Sequence, residues 1–261
     1  MGLLEGKNAI VYGAGGGIGG GVARTFAREG ARVFLAGRTR ETLDAVANDI
    51  TTAGGAAEVA VVDALDEAAV DAHVDAVAQQ AGSVDVSFNL IKRGDVQGTP
   101  LVEMTADELL RAVVNGLTST FLTARAAGRR MIEQHSGVIL HLNSASGAGA
   151  MPGMGSTGPA DAATESFMRY LAAELGPHGV RVCGIWTAGV EETLSKEKLT
   201  AVGGEHAPAP ETAVEMIAGM AALRRTPRLA DVANVAAFLA SDRAAGMTGT
   251  MANVTSGLVL R

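Results

Sequence analysis

Residues 9–38 read AIVYGAGGGIGGGVARTFAREGARVFLAGR, and the order of residue types in this stretch decides the fold. A short apolar run from Ala9 to Val11 leads into Gly13, Gly15, Gly16, Gly17 and Gly19. An amphipathic segment follows, with Val22, Ala23, Phe26 and Ala27 on its apolar face, and then a second apolar run from Arg32 to Ala36. Strand, glycine turn, helix, strand is the context in which a glycine pattern signals a dinucleotide-binding turn. Glycine permits positive φ and lets a pyrophosphate approach without a Cβ in the way. A helix beginning near Gly17 aims its free N–H groups and positive dipole end at such phosphates. The stretch states what binds, and leaves open what chemistry follows.

Working outward, strand-like runs recur at residues 57–63, 84–90, 137–143, 180–186 and 250–254, rich in Val, Ile and Leu without alternation. That is the pattern of strands covered on both faces. Helical segments separate most of them, so βαβ units with right-handed crossovers are expected. The predicted fold is α/β: one Rossmann-type, doubly wound parallel sheet of about seven strands with helices on both faces, in a single domain over residues 1–261. Thr105-Ala-Asp-Glu108 is a capping-box pattern opening a long helix with Leu109, Val113, Leu117 and Phe121 on one face. A second helix is predicted over about 160–175, with Pro159 setting a late start. The wide apolar faces of these two helices suit a homo-oligomer interface, a dimer or tetramer, as well as ordinary packing. Residues 190–228 break the periodicity with charges, Gly203-Gly204, Pro208 and Pro210. They follow the sixth strand on the ligand side of an open α/β sheet, and read as a substrate lid.

Composition excludes several functions. The net charge is −7 and aromatic content 3%, which argues against a nucleic-acid partner. No run approaches the roughly 20 apolar residues of a membrane-spanning helix, and no secretory-signal pattern opens the chain. The histidines show no metal spacing, so no metal is expected. The single Cys183 fits a reducing, cytoplasmic setting and reads as a small buried strand residue.

Taken together, the chain resembles the short-chain dehydrogenase/reductase family over essentially its whole length. The resemblance is carried by Gly13-Ala-Gly-Gly-Gly-Ile-Gly19, Asp63 at the end of the third strand, Asn89 after the fourth and Asn115 in Val-Val-Asn-Gly. Ser144 closing the fifth strand and the tail Phe238-Leu-Ala-Ser-Asp…Met247-Thr-Gly-Thr complete it. It implies an NAD(P)(H) cofactor held by Gly13, Gly15, Gly17, Ile18, Gly19, Asp63, Ala64, Asn89 and Val190, and a small-molecule substrate. Where NAD-selective members end the second strand with an acid, this chain has Gly37 followed by Arg38. A guanidinium pairs well with a 2′-phosphate, so NADP is expected ahead of NAD. Arg40 either assists or is a solvated helix-start residue.

The family's chemistry rests on a Tyr-x-x-x-Lys pair, a serine about thirteen residues before the tyrosine, and an asparagine on the preceding helix. Asn115 and Ser144 match. Counting on from Ser144 places the pair at Thr157 and Asp161, without phenol or ammonium. A threonine hydroxyl is a far weaker acid than a phenol, and a carboxylate raises the pKa of a neighbouring acid. Three functions are compatible with these residues. One is an oxidoreductase on a small hydrophobic carbonyl, alcohol or enone, with Lys92, His141 or a water as a non-standard proton donor. The second is a non-redox dehydratase, aldol-type enzyme or cyclase with Asp161 as base and Ser144 and Thr157 binding an oxyanion. The third is a non-catalytic dinucleotide-binding subunit.

Overall fold

The computed structural model describes residues 2–260 apart from the side chain of His206, so Met1 and Arg261 of the predicted domain span lie outside the described residues. Strand β1 (Asn8–Tyr12) enters the glycine tract, α1 (Gly17–Arg28) leaves it, and β2 (Arg32–Gly37) returns parallel to β1. Gly13 takes φ +75°, and its N–H donates to the Ala36 carbonyl at 2.8 Å. A Cβ on Gly19 would run into the Gly13 carbonyl, so the helix closes on the turn as only glycine permits.

The remaining elements are α2 (Arg40–Thr52), β3 (Ala56–Val61), α3 (Glu67–Ala81), β4 (Val86–Asn89), α4 (Ala106–Gln134) and β5 (Gly137–Ser144). They continue with α5 (Thr157–Leu175), β6 (Val180–Thr187), α6 (Lys196–Gly203), α7 (Pro210–Met220), α8 (Leu229–Ala240) and β7 (Thr250–Val254). All seven strands form one parallel sheet in the order β3-β2-β1-β4-β5-β6-β7. Two apolar cores sandwich it. Val22 and Phe26 of α1, Leu43 and Val46 of α2, and Val232 and Ala236 of α8 pack on one face. Val70 and Val74 of α3, Ala127 and Met131 of α4, and Met168 and Leu175 of α5 pack on the other. The inner strands are therefore covered on both faces, which is why their sequences do not alternate.

The winding reverses between β1 and β4, whose register sets Tyr12 beside Asn89. At such a switch point the loops leaving the two strands diverge and open a crevice at their carboxyl ends.

Local chemistry explains where the elements begin and end. Thr105 Oγ1 accepts from the Glu108 N–H at 3.2 Å while Glu108 accepts from the Thr105 N–H at 2.8 Å, the reciprocal cap predicted for α4. The expected late start of α5 is corrected: the helix begins at Thr157, with Pro159 in its first turn. First-turn N–H groups have no intrahelical acceptor, so proline costs nothing there. The third strand stops at Val61 rather than Asp63, whose carboxylate instead accepts from the Leu65 N–H at 3.0 Å. Cys183 is buried within β6, as expected. Residues 190–228 fold into a 3-10 turn at Glu191–Thr193, then α6, a second turn at Gly204–His206, and α7. Among the described residues no helix is long and apolar enough to cross a membrane, and no cluster of His, Cys, Asp and Glu could hold a metal ion.

Candidate active site

A cleft of about 250 Å³ opens at the carboxyl ends of β1 to β4, over the glycine turn. Gly13, Gly15, Gly37, Arg38, Asp63 and Ala64 line it, and Leu90, Ile91 and Lys92 of the loop leaving β4 form one wall. The cradle is as tight as backbone allows: a Cβ on Gly13 would strike the Leu90 carbonyl, and one on Gly15 the Thr42 hydroxyl. Gly17 faces Thr193, and Ile18 packs against the core.

From Lys92 the loop turns inward to a second, buried cluster. Ser144, at the end of β5, donates its hydroxyl to Asp161 Oδ2 of α5 at 2.5 Å and accepts from the Ser146 N–H at 3.2 Å. Asp161 has no exposed surface. Its other oxygen takes a 2.7 Å ion pair from Arg93 Nη1, and Arg93 Nη2 bonds Asp95 at 2.8 Å. Burial pushes the Asp161 carboxyl up to about 6, outweighing the opposing pull of Arg93 and Ser144.

Glycines admit this arrangement at two points. A Cβ on Gly116 would collide with the Arg93 stem, and one on Gly147 with Asp161 Cβ. Asn115 Nδ2 donates to the Arg93 carbonyl at 3.0 Å, fixing the backbone from which the guanidinium reaches across.

Residues 13–259 match the family model described as enoyl-(acyl carrier protein) reductase. The oxidoreductase asL5 of Sarocladium schorii is 31% identical over 260 residues, covering 98% of this chain and 96% of that protein. The chain belongs to the short-chain dehydrogenase/reductase family. It superposes on the crystal structure of an NAD+-bound xylitol dehydrogenase with a TM-score of 0.86 at 27% identity, covering 97% of this chain and 99% of that one. A short-chain type dehydrogenase/reductase from Mycobacterium marinum gives 0.84 at 27% identity, with 99% and 97% covered. The family match identifies the protein as an oxidoreductase by descent.

Within this family member the residues singled out from sequence fall into three groups. Gly13, Gly15, Arg38, Asp63 and Ala64 meet in the cleft. Ser144, Asp161 and Asn115 meet around Arg93. Of the others, Asn89, Val190 and Thr157 have their side chains engaged within the fold. Asn89 is buried, donating to Ser119 at 3.1 Å and accepting from the Ile91 N–H, while Val190 sits in the core. Thr157 accepts from Gln97 Nε2 at 3.2 Å, so its hydroxyl is held by the loop after β4 and not by Ser144. His141 is buried with neither ring nitrogen bonded to a side chain, and burial lowers it to about 4. Its ring packs against Gly184 of β6 within the sheet. Sequence reasoning missed Arg93. It lies 68 residues from Asp161, in a loop without a motif, and no spacing rule connects the two.

Removing the guanidinium should leave a buried, uncompensated carboxylate. Arg93→Met is expected to cost about 3–5 kcal/mol in urea denaturation. Arg93→Met combined with Asp161→Asn should recover most of that loss, and equal stabilities of the single and double variants would contradict the ion-pair account.

Proposed function

We propose that this protein is an NADP(H)-dependent oxidoreductase acting on the carbonyl, alcohol or enone of a small hydrophobic molecule, with Asp161 and Ser144 handling the proton. The observation that carries this reading is the 2.5 Å bond between the Ser144 hydroxyl and a buried carboxyl raised to about 6. Ser144 stands where family members carry their serine, and Asp161 where they carry the lysine of the Tyr-x-x-x-Lys pair. The pair supplies the proton-transfer capacity that Thr157, held by Gln97, does not.

The residues present fit a dinucleotide. The Gly13 turn leaves no room for side chains over its backbone, and α1 begins with no side-chain cap. Both features suit a diphosphate approaching helix N–H groups. Arg38 lines the cleft and is exposed, with no carboxylate partner among the described residues, whereas Arg40 is engaged with Asp44 at 3.6 Å. Arg38 is thus the residue for a 2′-phosphate, and Asp63 and Ala64 form the adenosine side. Bound NADP(H) would supply or accept the hydride.

The protein's own part follows from the hydrogen-bond inventory. With Asp161 ionised, the Ser144 proton is committed to Oδ2 and is unavailable to a substrate. With Asp161 protonated, the carboxylic acid donates to Ser144 Oγ and frees the Ser144 proton to point at a carbonyl oxygen. During reduction Ser144 gives its proton to that oxygen and regains one from Asp161, which ends as a carboxylate facing Arg93. Alcohol oxidation runs the same transfers backwards. Asn115 acts as a positioning residue through the Arg93 backbone.

Residues 190–228 form the lid of a single domain in this reading. Met216 and Met220 are more than half exposed on α7, consistent with an apolar ligand. Exposed Leu110 and Val114 on α4 and Tyr170 on α5 supply the face of a homo-oligomer.

The pH dependence has a definite sign. Reduction needs the protonated carboxyl, so its rate should fall as pH rises through about 6; oxidation needs the carboxylate and should rise over the same range. Asp161→Asn should lower kcat by about 10²–10⁴ and abolish that inflection; an unchanged pH–rate profile would remove Asp161 from the mechanism. Arg38→Asp should weaken NADPH binding by about tenfold or more while sparing NADH, measured by fluorescence titration. Val114→Glu should convert the oligomer to monomer in light scattering, and an unaltered mass would exclude that face.

A further inference from the structure

The cleft over the glycine turn ends at Lys92, and neither Ser144 nor Asp161 lines it. What separates them is the loop leaving β4. Its Arg93 lies on Asp161 through the 2.7 Å ion pair, and the carboxyl is left with no exposed surface. A ligand reaching from the cleft to this pair meets residues 93–98 first.

This segment has no helix or strand of its own, and it is anchored to three other parts of the chain. Asn115 of α4 holds the Arg93 carbonyl. Val96 is held twice by one hydroxyl: its N–H donates to Ser156 Oγ at 2.8 Å, and Ser156 donates back to the Val96 carbonyl at 2.9 Å. Ser156 itself has no exposed surface. The next two N–H groups diverge, Gln97 donating to the Val202 carbonyl of α6 at 2.7 Å and Gly98 to the Gly153 carbonyl at 2.8 Å. The Gln97 side chain adds the 3.2 Å bond to Thr157 in the first turn of α5.

Gly94 and Gly98 bracket the anchored stretch, at φ +84° and +87°. Glycine adopts such angles without strain, so rotation at the two ends can move Asp95, Val96 and Gln97 together. Val96 is the one apolar residue between them and is only half-buried, so the anchorage is polar. Segments held by hydrogen bonds rather than by buried apolar area open at low free energy, in cooperative units.

We propose that residues 94–98 form a strap across the start of α5, latched by Ser156 and released as a unit to admit a substrate to Ser144 and Asp161. Because the hinge is Gly94, Arg93 stays on Asp161 when the strap opens, and Asp95 leaves with the strap. The Gln97–Val202 bond ties the strap to α6, so its release also frees one side of the segment following β6. The role in substrate entry rests on the oxidoreductase reading above; opening as a unit does not.

Amide hydrogen exchange tests the strap without reference to catalysis. Ser156→Ala should speed exchange at Gln97 and Gly98 about tenfold, although neither amide bonds Ser156. Gln97→Ala removes only the bond to Thr157 and should speed Val96 and Gly98 about fivefold, which keeps the test in hand if Ser156→Ala does not fold. Amides of β5 and β6 should be unchanged in both. A thiol introduced by Thr157→Cys should be alkylated by iodoacetamide in step with the strap amides, with Cys183, buried in β6, as the unreactive control. Acceleration confined to the amide whose own bond was removed, or alkylation that does not follow the amides, would overturn the strap. Unit opening in a protein that binds no NADPH and turns over no carbonyl would leave the strap standing and remove the oxidoreductase reading. Turnover with strap amides exchanging as slowly as those of the sheet would keep that reading and remove the strap.

Discussion

A carboxylate with no exposed surface must be neutralised where it stands, and at Asp161 this is done by Arg93. Much of the local structure serves that pairing. The loop after β4 turns inward to bring the guanidinium across, Asn115 fixes its backbone, and Gly116 and Gly147 leave the space the two side chains need. Asp95 takes up the remaining face of the guanidinium. Burial and ion pairing act on the carboxyl in opposite directions, and burial prevails. The outcome is a carboxyl raised to about 6 beside a serine hydroxyl.

The same electrostatic reasoning separates two kinds of cation on the ligand side of the sheet. Arg93 is saturated by two carboxylates and contributes structure. Arg38, Lys92 and Lys198 have none, although the chain as a whole carries a charge of −7 and has acids to spare. The acids that could have met them are directed elsewhere, Asp63 to a backbone N–H and Glu191 and Glu192 toward α8. Of these cations, Arg38 and Lys92 line the glycine-rich cleft.

Much of this molecule was legible in its residue order. The glycine tract, the unalternating strands and the Thr105–Glu108 cap each act over a few residues, through φ limits, two-sided burial and local hydrogen bonds. Ser144 and Asp161 could be placed by counting along one strand–helix unit. The partners of those side chains could not. The position of Pro159 was legible as well, but its effect was misjudged, because proline in a first turn obeys a different constraint from proline in a helix interior. Asn89 and Val190 matched a family pattern by position, while the direction in which each side chain points is a matter of sheet register and packing.

By itself, then, the sequence determined a doubly wound dinucleotide-binding fold and the identity of its glycine turn, because those depend on periodicity and backbone freedom within short windows. Only the tertiary structure decided that Arg93 neutralises Asp161 and that Thr157 is held by Gln97. Charges separated by tens of residues interact through distance and burial, and both are set by how the sheet brings its loops together at the switch point.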